Sequence, residues 1–185
     1  MRVLGIPGSV RQGSHNRKLL RAAAAALPSG VELELWERLA ELPHFDEDLE
    51  ALPAPEPVQS LRDAIAAADA VLIATPEYNA GVPGVLKNAL DWASRPFATH
   101  PLRDKPVAVV GASTGLFGAV WAQAEVRRVA AHIGADVLDR ELPLGLADAA
   151  FEGDGSFADP AQAEALAALL GELVGRAREP AAETA

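Results

Sequence analysis

The chain has no cysteine, and that one absence removes disulfides, thiolate metal sites and thiol redox chemistry together. Aromatic residues are also scarce, at 5% of 185 residues, with a single tyrosine and three tryptophans. No apolar run approaches the ~20 residues that a membrane span requires. The opening MRVLGIPGS is too short in its apolar part for a signal peptide and leads into a glycine turn. These absences lead to the expectation of a soluble cytoplasmic protein with no membrane partner. Positive charge is short as well. Sixteen Lys and Arg stand against 26 Asp and Glu, a net charge of −10, so most of the surface would repel the phosphates of a nucleic acid. No residues show metal-ligand spacing, so no metal is expected.

What is present is apolar and unevenly charged. Half of the residues are hydrophobic, and a chain of this length buries roughly 70% of its unfolded surface, enough for one domain with a real core. The first 31 residues carry Arg2, Arg11, Arg17, Lys18 and Arg21 and no acid. From Glu32 to Glu56 the balance reverses, with Arg38 alone against nine carboxylates. A basic opening segment in an acidic protein suits a small anionic ligand; chance clustering on a solvated helix would look the same from charge alone.

The apolar pattern alternates strand with helix. Strands are expected at Arg2–Ile6, Val31–Trp36, Ala70–Thr75, Val107–Gly111 and Asp136–Leu142. Helices are expected at Asn16–Leu27, Val58–Ala68, Pro83–Ser94, Gly118–Ile133 and Asp159–Arg178. AVLIAT at 70–75 reads as a strand buried on both faces, whereas Glu32 and Glu34 give the second strand a wetter face. Gly134 is placed to stop one helix and Asp159-Pro160 to start the next. Residues 39–57 read as a long acidic, proline-rich loop. The domain is expected to span 1–178, with 179–185 as a loose tail.

Five strands alternating with five helices imply an α/β three-layer sandwich around a parallel sheet. Right-handed crossovers favour the flavodoxin-like order 2-1-3-4-5. Ligands of such sheets bind beyond the carboxyl ends of the strands, at the switch between strands 1 and 3. That rule selects three loops: 7–15, 76–82 and 112–117.

The first loop offers Ser9, Arg11, Ser14, His15 and Asn16 together with glycine-permitted backbone N–H groups at a helix N-terminus, the donors that a phosphate monoester needs. An ordinary strand-to-helix turn capped by Ser14 or Asn16 would use some of the same residues, but a cap does not require Arg11. Gly8 and Gly13 have P-loop spacing, yet Ser14-His15 replaces its Lys-[ST], and G-x-G-x-x-G is absent. The second loop, Pro76-Glu77-Tyr78-Asn79, offers backbone N–H groups and one ring to a flat heterocycle, or simply caps the next helix. In the third loop Gly111-Ala-Ser113-Thr-Gly115 matches G-x-S-x-G, but the only later histidine, His132, falls inside a helix, so a hydrolase elbow is not expected.

Gly8-Ser-x-Arg-x-x-Ser-x-Asn16, Pro76-Glu-Tyr-Asn79 and Leu86-Lys-Asn-Ala-Leu-Asp-Trp92, in that order, resemble the NADPH-dependent FMN reductase family, which includes quinone and chromate reductases. The resemblance runs from Val3 to about Gly134. It implies FMN as cofactor, NADPH as co-substrate and a small electron acceptor such as a quinone or free flavin. By position, Ser9, Arg11, Ser14, His15 and Asn16 would hold the FMN phosphate, Pro76, Glu77, Tyr78 and Asn79 would border the isoalloxazine, and Ser113 would lie near it. The resemblance requires no catalytic side chain. It also implies a homodimer or homotetramer, for which loop 39–57 and helix 83–94 are candidate contact surfaces. A flavodoxin-type FMN carrier and a flavin-free phosphate-binding or interaction module are the alternatives.

Overall fold

The computed structural model describes residues 1–179, so 180–185 of the expected tail lie outside the described residues. Five parallel positions run in the order β2 (Glu32–Leu35), β1 (Arg2–Pro7), β3 (Ala70–Thr75), β4 (Pro106–Ala112) and β5 (Asp136–Val137). β1 and β3 are buried almost throughout because helices cover both faces, while edge strand β2 alternates exposed and half-buried positions. Register pairs Gly5 with Leu35 on one side and Leu72 on the other, and Ile73 with Val109. One face of the sheet, with Leu4, Ile6, Val71, Ile73 and Val109, packs on α3 (Glu56–Ala67), α4 (Gly84–Ala93) and α5 (Val120–Ile133). The other, with Val3, Leu72, Ala108 and Val110, packs on α1 (His15–Ala26) and α6 (Pro160–Arg178). Each such Leu, Ile or Val contributes about 1.5–3 kcal/mol when fully buried.

The helix signals act as read. Asp159 accepts from Ala161 N at 2.9 Å to start α6. Gly134, at φ 104°, ends α5 in the left-handed conformation. The fifth strand differs from the expected 136–142. It breaks after Val137, and β6 (Pro143–Leu144) resumes the pairing with β4 further along. Asp139, Arg140 and Glu141 are three consecutive charged residues, and they turn to solvent, where Arg140 pairs with Glu172 and Arg127 with Glu141. Buried Gln123 bridges the break by donating to Gly118 O at 2.9 Å and accepting from Leu142 N at 3.1 Å.

The segment 39–57 is not a bare loop. It holds a 3-10 turn at Leu39–Glu41 and a short helix, α2 (Glu47–Glu50), capped by Asp46. It folds over α4. Trp92 Nε1 and Asn88 Nδ2 both donate to Pro43 O, at 2.8 and 2.9 Å, and the Phe45 ring stands edge-on to Trp92 at 5.0 Å. The length of this segment is thereby explained, since it completes the core around a fully buried indole.

At the amino-terminal end of the sheet, His100 is 3% exposed, and among the described residues neither ring nitrogen has a partner of hydrogen-bond geometry. Burial, reinforced by neighbouring Arg103, pushes its pKa below the ordinary value, although the Ile133 backbone and Asp104 oppose the shift. The folded state therefore holds His100 neutral, while the unfolded chain takes up a proton near pH 6.5. The stability it contributes is present above about pH 6.5 and is lost as pH falls from there towards the lower folded pKa, by at most about 1.4 kcal/mol for each pH unit. Thermal melts at pH 7.5 and 5.5 check this: the drop on acidification is expected to be smaller in His100→Phe than in the wild type. Equal drops would contradict it.

Candidate functional site

The carboxyl ends of β1, β3 and β4 open into the three loops selected by topology, and one side chain holds them together. Asn16, 2% exposed in the first turn of α1, donates through Nδ2 to Ala112 O and accepts through Oδ1 from Ala112 N, both at 2.9 Å. Both functional ends of this amide are engaged by the last residue of β4. Its side chain therefore braces the site, while its backbone N–H finds no acceptor among the described residues.

The first loop is shaped for close approach. A Cβ on Gly8 would stand 2.9 Å from the Leu86 side chain and 3.1 Å from Ala74 O, so a larger residue would have to push these neighbours aside as the chain leaves β1. Beyond it, Ser9 Oγ accepts from Arg11 N at 3.3 Å, and Arg11 O accepts from Ser14 N at 3.1 Å. Arg17 donates to Gln12 O at 2.7 Å and Arg11 O at 3.4 Å while it pairs with Glu37. It thus holds those two carbonyls on the outside of the loop. Among the described residues, the backbone N–H groups of Ser9, Val10, Gln12, Gly13, His15, Asn16 and Arg17 find no acceptor, and the Ser14 hydroxyl makes no cap bond. The exposed Arg11 guanidinium has no carboxylate partner among them either. His15 sets Nε2 3.1 Å from Asp148 Oδ1 and keeps a buried Nδ1 with no partner. A run of unanswered N–H groups at a helix N-terminus, beside a free guanidinium, is an anion cradle.

The second loop is a tight turn. Tyr78 and Gly81 exchange backbone hydrogen bonds at 3.2 and 3.1 Å, with Asn79 and Ala80 both at positive φ, 53° and 58°. This geometry pushes the exposed Tyr78 outward. Glu77 faces the other way. The N-cap residue of α5 is Ala119, a left-handed residue whose methyl cannot cap anything, and Glu77 Oε2 supplies the missing cap by accepting from Trp121 N and Ala122 N, both at 3.0 Å. Glu125 answers from α5, accepting from Val82 N at 2.9 Å. Two carboxylates thus tie the second loop to the helix that follows the third.

The third loop is pressed against β6. Gly118, at φ 58°, has no room for a Cβ, which would meet the Pro143 and Leu144 backbone at 2.4 and 2.5 Å. Ser113 lies half-buried at its start, its N–H on Leu144 O and its carbonyl accepting from Ala147 N. His132 is exposed in the last turn of α5, roughly 20 Å along the helix from this loop, which rules out a serine–histidine pairing here. Elsewhere, a groove of about 840 Å³ lies between α1 and the 151–157 loop. Its Lys18 and Arg21 are balanced by Glu152 and Asp154, and it does not reach the three loops.

Topology brings Ser9, Arg11, Ser14, His15 and Asn16 into one loop and sets Pro76, Glu77, Tyr78, Asn79 and Ser113 on its two neighbours. Arg17, Glu125 and Asp148 complete the scaffold and were missed in sequence. The excess of cations before Val31 was a signal for Arg17, whereas nothing local marks the other two.

A parallel flavodoxin-like sheet with a donor-lined loop at its switch point is the architecture of a ligand-binding α/β protein. Residues 1–149 match the family described as NADPH-dependent FMN reductase. The chain is 42% identical over 160 residues to an NAD(P)H-dependent FMN reductase of Pseudomonas aeruginosa, covering 86% of this chain and 85% of that protein. It is 41% identical over 155 residues to a quinone reductase of Pseudomonas putida, covering 83% of each. The fold matches FerB, a flavoenzyme NAD(P)H:(acceptor) oxidoreductase from Paracoccus denitrificans, with a TM-score of 0.83 and 37% identity over 95% of this chain and 96% of that one. The chain belongs to the NADPH-dependent FMN reductase family. It is an FMN-dependent NAD(P)H oxidoreductase.

The remote cap has a measurable consequence. Glu77→Ala is expected to cost about 1–2 kcal/mol in urea unfolding, the usual worth of a lost helix cap, and Glu77→Gln to recover part of that through its amide oxygen. An unchanged midpoint in Glu77→Ala would contradict the capping role.

Proposed function

We propose that this reductase passes electrons from NAD(P)H through FMN to a quinone, free flavin or similar small acceptor, with the FMN phosphate seated in the loop from Ser9 to Asn16. The observation that carries the assignment is the set of unanswered donors in that loop: its backbone N–H groups and the free Arg11 guanidinium. A phosphate monoester is close to dianionic at neutral pH and accepts through three oxygens, which matches this donor set in number and sign. Ser9, Arg11 and Ser14 would bind through their side chains, and Ser9, His15 and Asn16 through backbone N–H groups that have no other acceptor among the described residues. Pro76, Glu77, Tyr78 and Asn79 would border the isoalloxazine, with Ser113 near it. A quinone acceptor is supported by the quinone reductase of Pseudomonas putida among the relatives.

When bound, FMN would supply the two-electron redox chemistry between NAD(P)H and the acceptor. The chain's own part is to bind, orient and admit. Arg11 and the α1 N-terminus offset the phosphate charge. Asn16 holds the phosphate loop to β4, and Glu77 with Glu125 holds the ring-side loop to α5. No side chain is assigned a proton-transfer role. We further propose one domain over residues 1–178, a cytoplasmic location and a homodimer or homotetramer. Association is supported by Val10, Leu116 and Leu146, which stand exposed around the carboxyl edge of the sheet and would be covered by a second copy.

Protein loaded with FMN and freed of excess by gel filtration is expected to keep its flavin absorbance and to bleach when NADPH or NADH is added without oxygen. Retained flavin that neither nucleotide bleaches would contradict the proposal in favour of an electron carrier.

A further inference from the structure

Of the three tryptophans, two are interior. Trp36 and Trp92 are 6% and 0% exposed, and their indole N–H groups donate to Ser60 Oγ and Pro43 O. Trp121 is 51% exposed, and its indole N–H makes no hydrogen bond among the described residues. Phe117, 60% exposed, stands edge-on to it with ring centroids 5.2 Å apart and planes at 67°. The pair sits at the carboxyl edge of the sheet, directly across from the second loop, because Glu77 accepts from Trp121 N.

This pair is held rather than merely exposed. Gly118 and Ala119, between the two rings, are both left-handed, at φ 58° and 62°, and the strain at Ala119 persists only where the surroundings fix it. Gly118 is packed onto the Pro143–Leu144 backbone, and the Glu77 carboxylate fastens the first turn of α5. The exposed halves of two rings amount to about 200 Å², far below the ~800 Å² each partner buries in a stable protein interface, but on the scale of one small ring. The chemistry is specific too. An indole face is electron-rich, a quinone ring is flat and electron-poor, and a free indole N–H suits a quinone carbonyl oxygen.

We propose that Phe117 and Trp121 form the wall against which the flat ring of a quinone acceptor packs, with Trp121 Nε1–H donating to a quinone carbonyl and Glu77 acting as a positioning residue. The inference rests on the reading that the acceptor is a quinone and that the flavin ring lies along residues 76–79. It adds the residues that discriminate flat acceptors from others.

The test uses FMN-loaded protein and menadione as probe. Without NAD(P)H, menadione is expected to quench tryptophan fluorescence saturably, and Phe117→Ala, which keeps the reporting indole, to weaken that binding by about fivefold or more. In turnover, Trp121→Ala is expected to raise the KM for menadione by a similar factor relative to its effect on ferricyanide, which has no flat ring, with Trp121→Phe restoring part of the loss. Equal effects on both acceptors, or quenching indifferent to Phe117→Ala, would overturn the wall. So would a Trp121→Ala protein altered only in its sedimentation, which would make the pair a subunit contact. A wild type that does not reduce menadione contradicts the acceptor reading instead, and the quenching titration then still decides the wall.

Discussion

The site depends on one buried amide. Asn16 and Ala112 are 96 residues apart, yet two hydrogen bonds of 2.9 Å join them at the point where α1 begins and β4 ends. Remove the side chain and two buried backbone groups lose their partners, at about 1–3 kcal/mol each. More than stability is involved. The brace fixes the direction in which α1 leaves the sheet, and so the direction in which its free N–H groups point. Arg17 adds the complementary constraint by drawing the Arg11 and Gln12 carbonyls outward. A donor-lined loop arises because these two side chains occupy the competing acceptors.

The same division of labour recurs in the second loop. Glu77 lies in the segment expected to touch the flavin, but its carboxylate caps a helix whose own N-cap residue is an alanine. Glu125 returns the contact. Loops that meet a ligand have few internal contacts, and this protein stiffens them by long-range polar ties to helices already packed on the sheet. Turn strain at Asn79, Ala80 and Ala119 is sustained by those ties.

The α/β alternation and the sheet order were legible because buried strands such as 70–75 and punctuating residues such as Gly134 and Asp159-Pro160 act locally. The fifth strand was misread for a local reason: apolar ends at Val137 and Leu142 hid three consecutive charges that the sheet cannot bury. In the 39–57 segment, proline and acid concealed Phe45 and Pro43, whose partners on α4 are more than 40 residues away. The cradle was legible by residue type, since Ser9, Arg11, Ser14 and His15 do share one loop. The engagement of Asn16 by Ala112 and of Glu77 by α5 was not, because a side chain's partner across the fold leaves no mark in its neighbours. Motif likeness pointed to these positions. Only geometry separates those free to touch a ligand from those that hold the others in place.

The central claim is that this loop grips a phosphate, and the most direct measurement compares the affinity of FMN with that of riboflavin, which lacks the phosphate, in the wild type and in Arg11→Ala. The account predicts that the wild type binds FMN at least about a hundredfold more tightly than riboflavin, in keeping with several charge-assisted hydrogen bonds. It also predicts that Arg11→Ala loses much of that difference while its riboflavin affinity stays the same. Equal affinities for the two flavins in the wild type, or a preference untouched by Arg11→Ala, would contradict it.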